Sequence, residues 1–171
     1  MSEQELKNLQ IYIGKRNQSQ TDEQVIDHIK KINDETPLTQ EEWHKLIFPS
    51  CNNGHVEILK FVLSHIQSLN NIKEYMIHTV YGRNENINEN RIEVLKEFIK
   101  YLTDNKEECL NETMINAGWF GETEIVKFLI KNGANKGYKN QNDLGLLECS
   151  ERVEKQFKDS SSLKEFLKNN Q

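Results

Sequence analysis

The segment Gly-His-Val-Glu-Ile-Leu-Lys-Phe-Val-Leu, which starts at Gly54, returns as Gly-Glu-Thr-Glu-Ile-Val-Lys-Phe-Leu-Ile from Gly121. Gly54/Gly121, Glu57/Glu124, Ile58/Ile125, Lys60/Lys127 and Phe61/Phe128 match in register across an offset of 67 residues. A repeated unit of this size cannot bury its apolar side alone, so recurrence demands neighbours that cover it. The offset is twice a period of about 33 residues, which predicts a copy midway. Arg-Ile-Glu-Val-Leu-Lys-Glu-Phe-Ile from Arg91 supplies it, with Glu93 and Lys96 in the matching places. Glu93 lies 36 residues after Glu57 and 31 before Glu124, so the middle copy carries extra length, assigned to Gly82–Asn90.

Each copy reads as a helix, a turn and a second helix. The first helix ends in small residues, Ser50-Cys51 in one unit and Ala117-Gly118 in another. Gly54 and Gly121 suit a turn with positive φ. The second helix then sets Ile58, Leu59, Val62 and Leu63 on one broad stripe, repeated as Ile125, Val126, Leu129 and Ile130. Glu57, Glu93 and Glu124 fall where this helix begins and complement its dipole, and Lys60, Lys96 and Lys127 follow at i+3. Gly133 suits a left-handed C-cap. Thr39 and Glu42 form a capping-box pattern that would start an unusually long first helix.

These residues resemble the ankyrin repeat, in which small residues precede Gly-His, Glu-aliphatic-aliphatic-Lys follows, and Gly-Ala-Asn/Asp comes later. The resemblance covers about residues 40 to 150. It departs from the family in three places. The Thr-Pro-Leu-His opening is missing from the good units, the first unit lacks Gly-Ala after its second helix, and the middle turn is long. The resemblance implies an all-α, ankyrin-like solenoid of stacked helix-turn-helix repeats. An N-terminal helical cap would occupy 1–38, repeats 39–70, 71–105 and 106–138, and a C-terminal cap 139–171.

Charge and cysteine usage narrow the function. A net charge of −5 argues against nucleic acid and anionic membrane, which both want a basic face. No apolar run is long enough to span a bilayer, and no secretory signal opens the chain. Three widely spaced cysteines, Cys51, Cys109 and Cys149, suit a reduced, cytoplasmic setting. The sequons at Asn17 and Asn111 then read as chance matches.

Chemistry is sparse. There is no Gly-rich phosphate loop, His-Glu-x-x-His, Cys-x-x-Cys or Gly-x-Ser-x-Gly. Cys51, His55 and His44 could tempt a metal argument. Yet Cys51 falls at the small buried position of its helix, and by the resemblance His55 is the turn histidine that bonds backbone. His28, His65 and His78 read as surface or packing residues. No catalytic residue, cofactor or metal is expected.

Trp119 and Phe120 stand out. By register they replace Asn52 and Asn53 of the first unit, at the end of a first helix. An ankyrin-type array binds partner proteins on that concave side, so the two rings are candidate anchors beside Asn52 and Asn53. Tyr81 and Arg83 continue the same surface. Trp43, in the first turn of a helix, is expected to pack against the N-terminal cap. The reading is a non-catalytic protein–protein interaction scaffold, monomeric by itself. Its alternative is a pathogen or viral effector that blocks a host protein through the same surface, a source that the Asn, Lys and Ile richness of an AT-rich genome would suit.

Overall fold

Capping chemistry fixes where several helices begin. In the computed structural model, which describes residues 1–14, 20–51, 54–81, 88–156 and 161–169, the chain is all-α, with no strand among the described residues. Helices α1 (Glu3–Gly14) and α2 (Asp22–Glu35) come first. Thr21 accepts the Gln24 N–H at 3.2 Å and Gln24 accepts the Thr21 N–H at 3.0 Å, a reciprocal cap for α2. The expected box at Thr39 is also present: Thr39 accepts from the Glu42 N–H at 3.3 Å and donates its own N–H to Glu42 at 2.8 Å.

The long helix expected after Thr39 is instead two, α3 (Gln40–Lys45) and α4 (Ile47–Cys51). Pro49 is the cause. It has no N–H, so the Lys45 carbonyl four residues earlier loses its helical donor. Gln10 of α1 fills the gap, donating its side-chain amide to that carbonyl at 2.8 Å. The cap was visible in the local sequence; the donor from another helix was not.

The remaining helices are α5 (Val56–Leu63), α6 (Ile72–Val80), α7 (Asn88–Ile99), α8 (Lys106–Phe120), α9 (Thr123–Lys131), α10 (Leu146–Gln156) and α11 (Ser161–Lys168). They pair as α1/α2, α4/α5, α6/α7, α8/α9 and α10/α11. The first members touch in the order α1, α4, α6, α8, α10, and the second members in the order α2, α5, α7, α9, α11. One continuous apolar cluster runs through both rows, from Leu6 and Ile29 through Leu59, Met76, Phe98, Met114 and Leu129 to Leu146 and Leu163. Each such side chain contributes roughly 1.5–3 kcal/mol when fully buried.

The repeat seen in sequence is a repeat in backbone. Gly54 has φ 68° and Gly121 φ 77°. At the first turn His55 N–H donates to the Ser50 carbonyl at 3.1 Å, and at the second Glu122 N–H donates to Ala117 at 2.9 Å. Val56 N–H to Gly54 and Leu59 N–H to His55 are likewise matched by Thr123 to Gly121 and Val126 to Glu122. The three recurrent ion pairs are also formed, Lys60–Glu57 at 2.7 Å, Lys96–Glu93 at 2.5 Å and Lys127–Glu124 at 2.7 Å. They lie exposed, so they decorate the second helices more than they hold them.

The residue just before each second-helix stripe varies while keeping its place: His55, Arg91 and Glu122. Arg91 is buried and pairs with Glu122 of the next hairpin at 3.2 Å. Burial draws its guanidinium pKa below the usual value, and the Glu122 carboxylate opposes that. His55 Nδ1 lies 3.9 Å from Asp22 of the preceding hairpin.

Trp43 is buried in the core cluster that also holds Leu6, Val25 and Ile29. Its ring stacks on His65 at 4.2 Å and meets Phe61 edge-on at 6.0 Å, within its own hairpin. The break at Leu46 turns α3 toward α5, and that places the ring there.

Gly121 combines a left-handed backbone with a close neighbour. A Cβ there would need left-handed backbone and would sit 3.0 Å from Val153 Cγ1. Gly121→Ala is expected to lower stability by roughly 1–2 kcal/mol in urea unfolding. Gly137→Ala, whose Cβ would meet nothing closer than 3.5 Å, is expected to stay within about 0.5 kcal/mol. Equal losses at both positions would contradict the assigned turn.

Candidate functional site

The first helices turn a common stripe outward, and on α6 and α8 it carries the candidate residues. On α6 the stripe is Glu74, His78 and, at the C-cap, Tyr81; on α8 it is Glu108, Glu112, Asn116 and Phe120. Successive members are three or four residues apart, the spacing that keeps side chains on one helix face.

The rings on this surface form a chain of edge-on contacts. Phe48 of α4 meets His78 at 4.6 Å, His78 meets Tyr81 at 5.2 Å, and Tyr81 meets Phe120 of α8 at 5.2 Å. Phe48 also packs on the buried ring of Tyr75 at 4.8 Å, which anchors the chain in the core. Such edge-to-face pairs are each worth about 0.5–1.5 kcal/mol beyond their burial. The Tyr81 hydroxyl lies 3.5 Å from the Asn116 side-chain oxygen, so ring and hydroxyl both point along the surface. Tyr81 stays 43% exposed, while Phe48 and Phe120 are half-buried.

Of the residues singled out from sequence, Tyr81 and Phe120 are therefore brought into direct contact. Trp119 sits beside them but faces the other way along the row. The Arg152 guanidinium of α10 covers its ring at 3.3 Å and donates to its backbone carbonyl at 3.4 Å. That is a cation–π contact with much of one ring face closed to solvent. Asn52, Asn53 and Arg83 lie outside the described residues. Phe48, His78, Asn116 and Arg152 were missed. His78 lies three residues before Tyr81, and Asn116 four before Phe120, so helical spacing from the chosen residues would have found both.

Beyond α9 the chain folds back over this stripe. Gly133 has φ 109°, and Ala134 N–H reaches the Leu129 carbonyl at 3.0 Å while Gly133 N–H reaches Ile130 at 3.0 Å, which closes the helix. Asn135 N–H then donates to the buried Asn111 side chain at 2.6 Å. Asn111 is thus engaged in packing rather than presented as a sequon. Next to it the Tyr138 hydroxyl donates to Glu112.

Close helix approach accounts for the small residue that precedes Trp119. A Cβ on Gly118 would lie 2.8 Å from Leu146 Cδ2 and 3.4 Å from Cys149 Cβ, so α8 and α10 meet there. Cys51 holds the equivalent place on α4, fully buried, and burial pushes its thiol well above the usual range. Cys149 is likewise pushed up to about 11 by burial. Among the described residues no group of three His, Cys, Asp or Glu side chains converges as a metal would need. None of the described helices is long and apolar enough to cross a membrane.

Compared with models of protein families, with curated proteins and with solved structures, the chain has no significant match.

The Tyr138–Glu112 bond makes a pH prediction. The bond, with partial burial and nearby carboxylates, pushes the phenol from 10.0 up to about 12. Ionising it would set a phenolate against a carboxylate. Its stabilisation is therefore complete below the unfolded value of 10.0 and is lost as pH rises through about 12. Tyr138→Phe is expected to unfold more readily than the parent at neutral pH, with the gap closing between those two values. A gap that stays constant across that range would contradict the bond.

Proposed function

We propose that the protein is a non-catalytic protein-binding module, an ankyrin-type solenoid that works as a cytoplasmic scaffold or adaptor. Repeats 39–70, 71–105 and 106–138 would lie between helical caps 1–38 and 139–171. Three features support the solenoid reading: the hairpins neighbour one another in chain order, the Gly54 and Gly121 turns share one hydrogen-bond pattern, and the Glu–Lys pair recurs three times.

The observation that carries the binding reading is the ring chain Phe48–His78–Tyr81–Phe120, which crosses three adjacent hairpins on one face. Rings held by neighbouring rings lose little freedom on binding, and half-buried aromatics within a polar rim are where interface energy concentrates. Asn116, Glu74 and Glu112 supply that rim. Trp119 adds its open edge at one side, with Arg152 as its fixed backing. Affinity would come from drying the Tyr81–Phe120 centre when a partner protein covers it.

The test is the double variant Tyr81→Ala with Phe120→Ala, used as tagged bait in extract of the source cells beside the parent chain. Proteins captured by the parent are expected to be lost from the variant while helix content by circular dichroism is unchanged. Retention of the same proteins by a folded variant would overturn the site.

A further inference from the structure

The described residues also form a cleft that the aromatic surface does not use. It lies between α1 and α2, with a volume of about 360 Å³, at the lower end of the range for small-ligand sites. Leu9 and Ile32 line it with apolar surface. Tyr12 and His28 close one end, their rings 4.7 Å apart and tilted at 52°. Glu5 and Glu35 stand at the other end, beside Thr36.

The charged side chains that line this cleft, Glu5 and Glu35, are both acidic. No Lys or Arg lines it. Glu35 is the last residue of α2, and that helix has no basic residue in its last turn. A helix C-terminus carries the negative end of the dipole and favours a cation; here Asp34 and Glu35 add negative charge instead. Among the described residues Glu35 has no ion-pair partner. The backbone and hydroxyl of Ser2 bond Glu5 at 2.8 and 2.7 Å and hold its carboxyl below the usual range, so it is charged at neutral pH. Met1 also lines the cleft; Glu42 holds its ammonium at 3.4 Å, and that charge adds to the lowering of the Glu5 carboxyl.

We propose that this cleft binds an amphipathic organic cation, an ammonium or guanidinium head on an apolar body. The head would sit between Glu5, Glu35 and the end of α2. The methylenes would lie on Leu9 and Ile32, and the Tyr12 ring would offer its face to the body or to a second cationic group. The same chemistry belongs to a free alkylamine and to a partner's Lys or Arg side chain. It does not depend on the aromatic surface described above.

The test titrates the whole chain with n-hexylammonium and follows backbone amide resonances. Shifts are expected in 5–12 and 28–36, with a Kd on the order of 1 mM for so small a ligand. Glu35→Gln, on an exposed side chain, is expected to weaken binding about three- to fivefold and to leave resonances outside the cleft in place. 1-Hexanol, the neutral isostere, is expected to bind more weakly still. Nα-acetyl-lysine N-methylamide separates the two sources. Tighter binding than hexylammonium indicates a protein side chain, and weaker binding a free amine. Absence of shifts with both amines would overturn the site. Equal binding of hexanol, or an unaffected Glu35→Gln, would overturn its cation chemistry.

Discussion

Two left-handed glycine turns, at Gly54 and Gly121, lay a second helix back along its first and leave apolar surface that only another hairpin can cover. The rest of the structure follows from that need. Because the covering unit has the same shape, its own far side needs covering too, and the pattern extends until a hairpin with a polar outer side ends it. On the α1/α2 hairpin Val25 and Ile29 are buried in the core, while Glu5, Asn8 and His28 line the open side. Stability in such an array is shared between neighbours rather than held at a single centre. The buried Arg91–Glu122 pair belongs to the same logic, since it joins consecutive hairpins and fixes their register while leaving little net energy behind.

Much of this was readable beforehand, and the physical reason is locality. The stripe Ile58, Leu59, Val62 and Leu63, the glycine turns, the Thr39–Glu42 cap and the Glu–Lys pairs all act within one or two helical turns, so one sequence window contains both partners. Not every miss was long-range. The long helix expected after Thr39 is divided by Pro49, a local signal, and only the Gln10 donor that serves the freed carbonyl comes from another helix. Trp43 also meets His65 and Phe61, which lie further along the chain than any local window around it reaches.

The candidate site divides the same way. The Trp119-Phe120 anomaly was visible as two aromatics at positions where the first unit has asparagines. What register could not show was that the pair splits. Phe120 turns to Tyr81 on α6, whereas Trp119 turns to Arg152 on α10. Adjacent residues on a helix diverge by about 100°, and which neighbour each meets depends on the row of helices rather than on the pair itself. Binding at this face would therefore draw on side chains from several hairpins at once, none of which could present the surface alone.

The row is what everything rests on, and one distance tests it. Spin labels on exposed positions of the terminal first helices, Lys7→Cys on α1 and Glu151→Cys on α10, can be read by pulsed electron resonance, since the native cysteines are buried. Four helix-to-helix steps of about 8–10 Å place the labels about 32–40 Å apart. A distribution centred at about 20 Å or less would mean that the hairpins close around a common centre, and the account would fail.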